Sequence, residues 1–150
     1  GLVTAIVSGT RLLGFDLGEK TIGLALSDTM LTVATPLETL KRGKFSVDAL
    51  LIEAIIAKHG IGGLVVGLPL NMDGTEGPSA QSARAFGRNF AARSPLPIVF
   101  WDERLSTAAV TRTLIDADAS RKRRSEVVDK MAAAYILQGV LDRLRTMASQ

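Results

Sequence analysis

The chain has 150 residues, no cysteine, 18 Lys and Arg against 15 Asp and Glu, and 47% hydrophobic residues. That length suits one domain able to bury roughly 70% of its unfolded surface, and that composition excludes a disordered chain. The lack of cysteine excludes disulfides and thiolate metal sites, and no apolar run approaches the ~20 residues of a membrane span.

Residues 1–10 carry no basic start of a secretory signal and are expected to be peripheral to a single domain over 1–150, in a reducing cytoplasm. Residues 12–17 (LLGFDL) predict a buried strand, and 21–28 (TIGLALSD) the next, joined by a turn around Gly18-Glu19-Lys20. A third strand is expected within 31–40. Ser46 is the candidate N-cap of a helix over VDALLIEAIIAKH, which Gly60 ends. GLVVGLP, 63–69, has the β-branched, unalternating character of a parallel strand covered on both faces. Pro78 suits the first turn of a helix running to about Arg93, where Ser94-Pro95 stops it. A strand is expected over 97–103, then a helix from Ser106 or Thr107 to about Asp116. A charged loop with Arg121-Lys122-Arg123-Arg124 precedes a long last helix capped by Ser125 and reaching about Met147. Strands first and βα units later imply a mixed sheet with helices on both faces.

Three acids break the apolar pattern. Asp16 interrupts the first strand between Phe15 and Leu17, and Asp102-Glu103 ends the strand at 97–103. Asp129 shares one side of the last helix with Ala132, Ala133, Ile136 and Val140, a small-residue face suited to close packing. Each acid also has an ordinary explanation. Asp16 fits a turn into Gly18, Asp102 or Glu103 can pair with Arg104, and Asp129 lies near a helix N-terminus. Together, on three elements, they suggest convergence, which is tolerable only where a cation offsets the repulsion. Oxygen donors, without cysteine and with the single His59 at a helix end, favour a hard divalent ion over a soft one. Alternation along the strand sends Val99, Trp101 and Glu103 to one face and Ile98, Phe100 and Asp102 to the other, so the two acids diverge. Trp101, set back from the strand end, is expected in the core.

Further candidates surround these acids. VVGLPLNMDGTEG, 65–77, ends a buried strand in a polar loop where Asn71 can reach a phosphate or sugar oxygen. Lys20 follows the Asp16 turn. Arg84 and Arg88, one helical turn apart, offer a positive rim or a solvated face. The run Arg121, Arg123, Arg124 can track a phosphate backbone on charge alone. The net charge of +3 does not itself demand a nucleic-acid partner.

The segments LLGFDLGEKTIGLALSD, VVGLPLNMDGTEGPSAQSARAF, DERLST and VVDKMAAAYILQGVLD, in this order, resemble the YqgF/RuvX family over nearly the whole chain from about residue 11. The resemblance implies an α/β, RNase H-like fold: a five-stranded mixed sheet, first three strands antiparallel, with helices on both faces. It implies a cytoplasmic nuclease processing the 5′ end of pre-16S rRNA, with four-way DNA as the alternative substrate of a Holliday junction resolvase. It selects Asp16, Glu103 and Asp129 as catalytic and metal-binding residues for Mg²⁺ or Mn²⁺, and leaves Asp102 as a neighbour. Lys20, Asn71, Arg104 and the basic run would then hold substrate. GFDLGEKTIG also resembles the first phosphate loop of actin-like kinases and ATPases. Those proteins need a second such domain and a second Asp-Gly phosphate loop, and neither is expected within these 150 residues. A nucleic-acid binder that has lost the chemistry is the other rival. No dimer seam is visible, so a monomer or weak homodimer is expected.

Overall fold

The computed structural model describes residues 10–105 and 121–148, and within the last helix the side chains of 130–147. Five strands form one sheet: β1 (Arg11–Leu17), β2 (Thr21–Ser27), β3 (Ala34–Lys41), β4 (Ile61–Leu68) and β5 (Ile98–Asp102). Their spatial order is β3-β2-β1-β4-β5, with β1, β2 and β3 antiparallel and β4 and β5 parallel to β1. The helices are α1 (Phe45–His59), α2 (Pro78–Ala91) and α3 (Arg121–Ala148). The mixed, doubly covered sheet expected from the sequence is therefore the observed one.

The sheet separates two apolar cores. On one face Leu13, Phe15, Ile22, Leu24 and Val66 pack against Ile52 of α1 and Phe86 and Phe90 of α2. Phe15, Phe45, Phe86 and Phe90 form an aromatic cluster with centroids 5.6–6.5 Å apart. On the other face Leu12, Ala25 and Val65 meet Ala132, Ala133, Ile136, Leu137 and Val140 of α3. Each fully buried Leu, Ile or Phe contributes about 1.5–3 kcal/mol. The alanines let α3 lie close to the sheet, where a Cβ on Gly14 would stand 2.9 Å from the Leu137 Cβ.

The sequence reading misses two starts. Helix α1 begins at Phe45 with Lys44 as N-cap residue, and Ser46 does not cap it. No side chain caps this end; the buried Asp48 in the first turn instead accepts the Gly43 N–H at 3.0 Å and fastens the chain that enters the helix. Helix α3 begins at Arg121, so the basic run lies in helix rather than in a loop ahead of Ser125. Arg and Lys are good helix formers and nothing among these residues breaks the helix. Gly60 ends α1 as expected, in the left-handed conformation at φ 63°. The helix expected over 106–116 and the segment 1–9 lie outside the described residues.

Candidate active site

The geometry around Asp16 follows from strand register. Asp16 is 3% exposed and lies opposite Gly23 of β2. One step beyond the Phe15–Val66 pair of β1 and β4, it comes level with Gly67, which itself pairs with Trp101 of β5. The Asp16 side chain shares the α3 face with Leu12 and Gly14, because alternate residues of a strand point the same way. Its carboxylate therefore sits on a bed without a Cβ on either side. Glu103, 5% exposed, comes onto that bed from β5, with its Cγ and Oε2 3.4 Å from where a Gly67 Cβ would stand. Two buried carboxylates thus share one face at the carboxyl edge of β1 and β4.

Alternation along β5 is realised. Phe100 faces Gly87 of α2, Trp101 faces Gly139 of α3, and Glu103 continues on the Trp101 side. Glu103 departs from the expected strand by opening a short 3-10 turn, Glu103–Leu105. Trp101 belongs to the α3 core, although its Nε1 is buried without a hydrogen-bond partner among the described residues. Asp102 turns away and grips Arg104, accepting from its Nε at 3.1 Å and its Nη2 at 2.7 Å. Arg104's hydrogen bonds hold the Asp102 carboxyl below the usual carboxylate range, and the same bonds raise the arginine.

The other expected contacts divide. Lys20 is exposed in the β1–β2 turn. Asn71 lies in the exposed loop after β4, where its Nδ2 donates to Thr75 Oγ1 at 3.0 Å. Arg104 reaches this loop through Nη1, which donates to the Met72 carbonyl at 3.3 Å. Arg84 is paired with Glu76 at 2.7 Å and lies 5.2 Å over the Phe100 ring, while Arg88 is exposed on α2. The side chains of Arg121, Arg123, Arg124 and Asp129 are outside the described residues. Among the described residues no group of three His, Cys, Asp or Glu forms a metal-binding cluster. Two buried carboxylates on one face are hard oxygen donors, which suits a divalent ion that gains further ligands.

The course of α3 bears on that further ligand. Ala133 packs on Gly14, while Gln138, later in the helix, receives the Ala34 N–H at 2.8 Å at the far end of the sheet. The earlier turns of α3, which include the Asp129 position, therefore run toward the Asp16 edge.

One residue at this edge escapes the sequence reading. Arg42 donates from Nη1 to the Gly18 carbonyl at 2.9 Å and from Nη2 to Ser82 Oγ at 2.8 Å, and its N–H donates to the Lys20 carbonyl at 2.8 Å. It ties the turn that follows Asp16 to α2 and lines a cleft of about 440 Å³ between them. No local pattern marks it, since its partners lie 24 and 40 residues away.

The strand order and the two helix-covered faces define an RNase H-like fold, with two buried carboxylates at the carboxyl edge of its central strands. The RuvX family model, described as Holliday junction resolvase, matches residues 10–143, and the chain belongs to that family. A protein of Paramagnetospirillum magneticum named as a candidate pre-16S rRNA nuclease is 62% identical over 94% of this chain and 91% of its own length. One of Roseobacter denitrificans with the same name is 59% identical over 99% of this chain and 92% of its own. Among solved structures, Thermus thermophilus RuvC with a Holliday junction substrate superposes with TM-score 0.54 at 12% identity, covering 88% of this chain and 93% of that one. The yeast mitochondrial Holliday junction resolvase does so with TM-score 0.51 at 11% identity, covering 93% and 81%. These likenesses show the fold.

Proposed function

We propose that the chain is a divalent-metal-dependent endonuclease of the cytoplasm that hydrolyses phosphodiester bonds in processing the 5′ end of pre-16S rRNA. The observation that carries this reading is the pair of buried carboxylates, Asp16 and Glu103, on one face over glycines. Buried acids gathered in this way lower stability unless function repays it. The names of the relatives support the RNA substrate.

In this reading Asp16 and Glu103 are metal ligands, and Asp129 completes the set from α3, whose direction favours that role. Bound there, Mg²⁺ or Mn²⁺ would supply hydroxide from a coordinated water and counter-charge for the leaving oxygen. The chain's own residues do the positioning. The sheet fixes Asp16, the turn after β5 fixes Glu103, and Lys20 offers a cation at the edge. Arg121, Arg123 and Arg124 lie in the first turn of α3 and are proposed as contacts to substrate phosphates. Water attack would leave a 5′-phosphate and a 3′-hydroxyl.

Asp16→Asn tests the assignment. It is expected to lower Mg²⁺-dependent cleavage of a precursor RNA more than about 100-fold, beyond the usual effect of losing a supporting residue, with circular dichroism and RNA affinity nearly unchanged. Undiminished cleavage by this variant sinks the reading. The family description favours four-way DNA as a second substrate. A resolvase making two symmetric cuts must act as a two-fold dimer, so cleavage of precursor RNA and of a junction should be compared side by side with the oligomeric state.

A further inference from the structure

The loop after β4 displays an apolar side chain beside the candidate site in a way the site itself does not require. Met72, at its tip, is 94% exposed. The loop that carries it is tightly bonded: the Asn71 N–H donates to the Thr75 carbonyl at 2.9 Å and the Gly74 N–H to the Asn71 carbonyl at 2.8 Å. Asp73 accepts both the Thr75 N–H and its hydroxyl, and Gly74 turns the chain at φ 86°. Isolated exposed apolar side chains are common. This one, however, is held on a fixed loop anchored to the residue that follows Glu103, since Arg104 donates to the Met72 carbonyl.

Arg104 is poorly suited to a phosphate. Its Nε and Nη2 are committed to Asp102 and its Nη1 to Met72, so its charge is offset. The Arg104 side chain, which ends in a flat guanidinium, remains 40% exposed, and Leu105 beside it is 67% exposed. Nucleic-acid proteins hold unpaired bases on aromatic rings or on guanidinium planes, and use Met and Leu as apolar wedges. The chain has only seven aromatic residues. Four phenylalanines form the interior cluster, Phe100 lies under Arg84, Trp101 faces α3, and Tyr135 lines the groove between α3 and β3. None is at this loop, so stacking beside the site falls to Met72 and Arg104.

We propose that Met72 and the face of Arg104 form a platform on which one unpaired nucleobase of the substrate stacks, next to the Asp16–Glu103 site. The proposal rests on the nuclease reading and gives it a specificity: a substrate strand with a base free to leave its stack.

The test uses the full chain with an RNA hairpin carrying a single bulged 2-aminopurine, and the same hairpin fully paired, with Ca²⁺ replacing Mg²⁺ so that binding is read without turnover. Wild-type protein is expected to change the bulged base's fluorescence. Met72→Ala should weaken binding of the bulged RNA about five- to tenfold, near the low end for loss of one stacking contact. It should leave the paired RNA unaffected, and Met72→Leu should restore most of the difference. The slope of affinity against salt should not change, because no phosphate contact is removed. Equal binding by wild type and Met72→Ala, equal loss on both hairpins, or no fluorescence change with wild type overturns the platform. The nuclease reading stands or falls separately, on wild-type against Asp16→Asn cleavage in Mg²⁺.

Discussion

At Asp16 the physical problem is a carboxylate inside an apolar strand, and the neighbouring strands solve it by omission. Gly23 and Gly67 flank it across β2 and β4, so no side chain crowds the carboxylate from the sheet. A Cβ on Gly67 would stand 2.5 Å from the Ile136 Cδ1 and 3.4 Å from the Glu103 Oε2. Gly67→Ala must therefore displace the Ile136 Cδ1 methyl, and it closes the added methyl against the Glu103 carboxylate. We expect it to lower stability by about 1–3 kcal/mol, as overpacking does, and to reduce cleavage well below what the remaining folded fraction accounts for. Urea denaturation and cleavage assays at a temperature where the variant is folded separate the two effects. A fully active Gly67→Ala would mean that Glu103 need not hold its place. Asp16 is legible in the sequence because apolar residues bracket it; alternation shows only that Glu103 and Asp102 diverge, and the family resemblance chooses Glu103 between them. The glycine bed was not legible, since it depends on cross-strand register between residues up to about fifty positions apart. Arg42 was hidden for the same reason.

At the scale of elements, what the sequence conceals is chiefly how connections are fastened. Strands β1, β2 and β4 stood out through their apolar runs, and the Pro78 start and Gly60 end of helices through backbone chemistry. The start of α1 is hidden because no side chain caps it, and the buried Asp48 fastens the Gly43 N–H ahead of it instead. The β2–β3 connection shows the same kind of fastening. Asp28 accepts the Thr32 hydroxyl at 2.6 Å and the Thr32 and Val33 N–H groups at 2.7 and 3.0 Å. The Thr32 carbonyl in turn receives Gln138 of α3. The Thr32 hydroxyl, then the Val33 N–H, lowers the Asp28 carboxyl to about 2. Since the folded value lies below the unfolded one, the stabilising contribution is complete above about pH 4 and is lost as pH falls through 2. Carbon-13 NMR of the side-chain carboxyl should show Asp28 titrating near 2, and Thr32→Val should move that midpoint upward. A wild-type midpoint near the model-compound value of 3.8 would show that the turn does not hold the carboxylate.

Over the whole molecule, the two apolar cores and the acidic edge make separate demands. Both cores close through hydrocarbon contacts alone, with Phe15, Phe86 and Phe90 on one side of the sheet and Leu12, Ile136 and Leu137 on the other. No metal is needed to hold these layers together, which distinguishes this chain from small domains whose fold is their metal site. Chelation should therefore abolish cleavage and leave the fold intact. A divalent ion that binds only the folded chain must nevertheless stabilise it by mass action, by about 1.4 kcal/mol at ten times its Kd, or about 3–5 °C in Tm for a chain of this size. Thermal melts of EDTA-treated protein, repeated over a Mg²⁺ or Mn²⁺ series, should show a cooperative baseline transition and a rise of that order. The rise should vanish in Asp16→Asn, because its side-chain amide is a far weaker ligand for a hard cation. A wild-type protein that unfolds on chelation would place the metal in the fold rather than the chemistry. A rise that survives in Asp16→Asn would place the ion elsewhere on the molecule, away from the Cβ-free bed between β2 and β4.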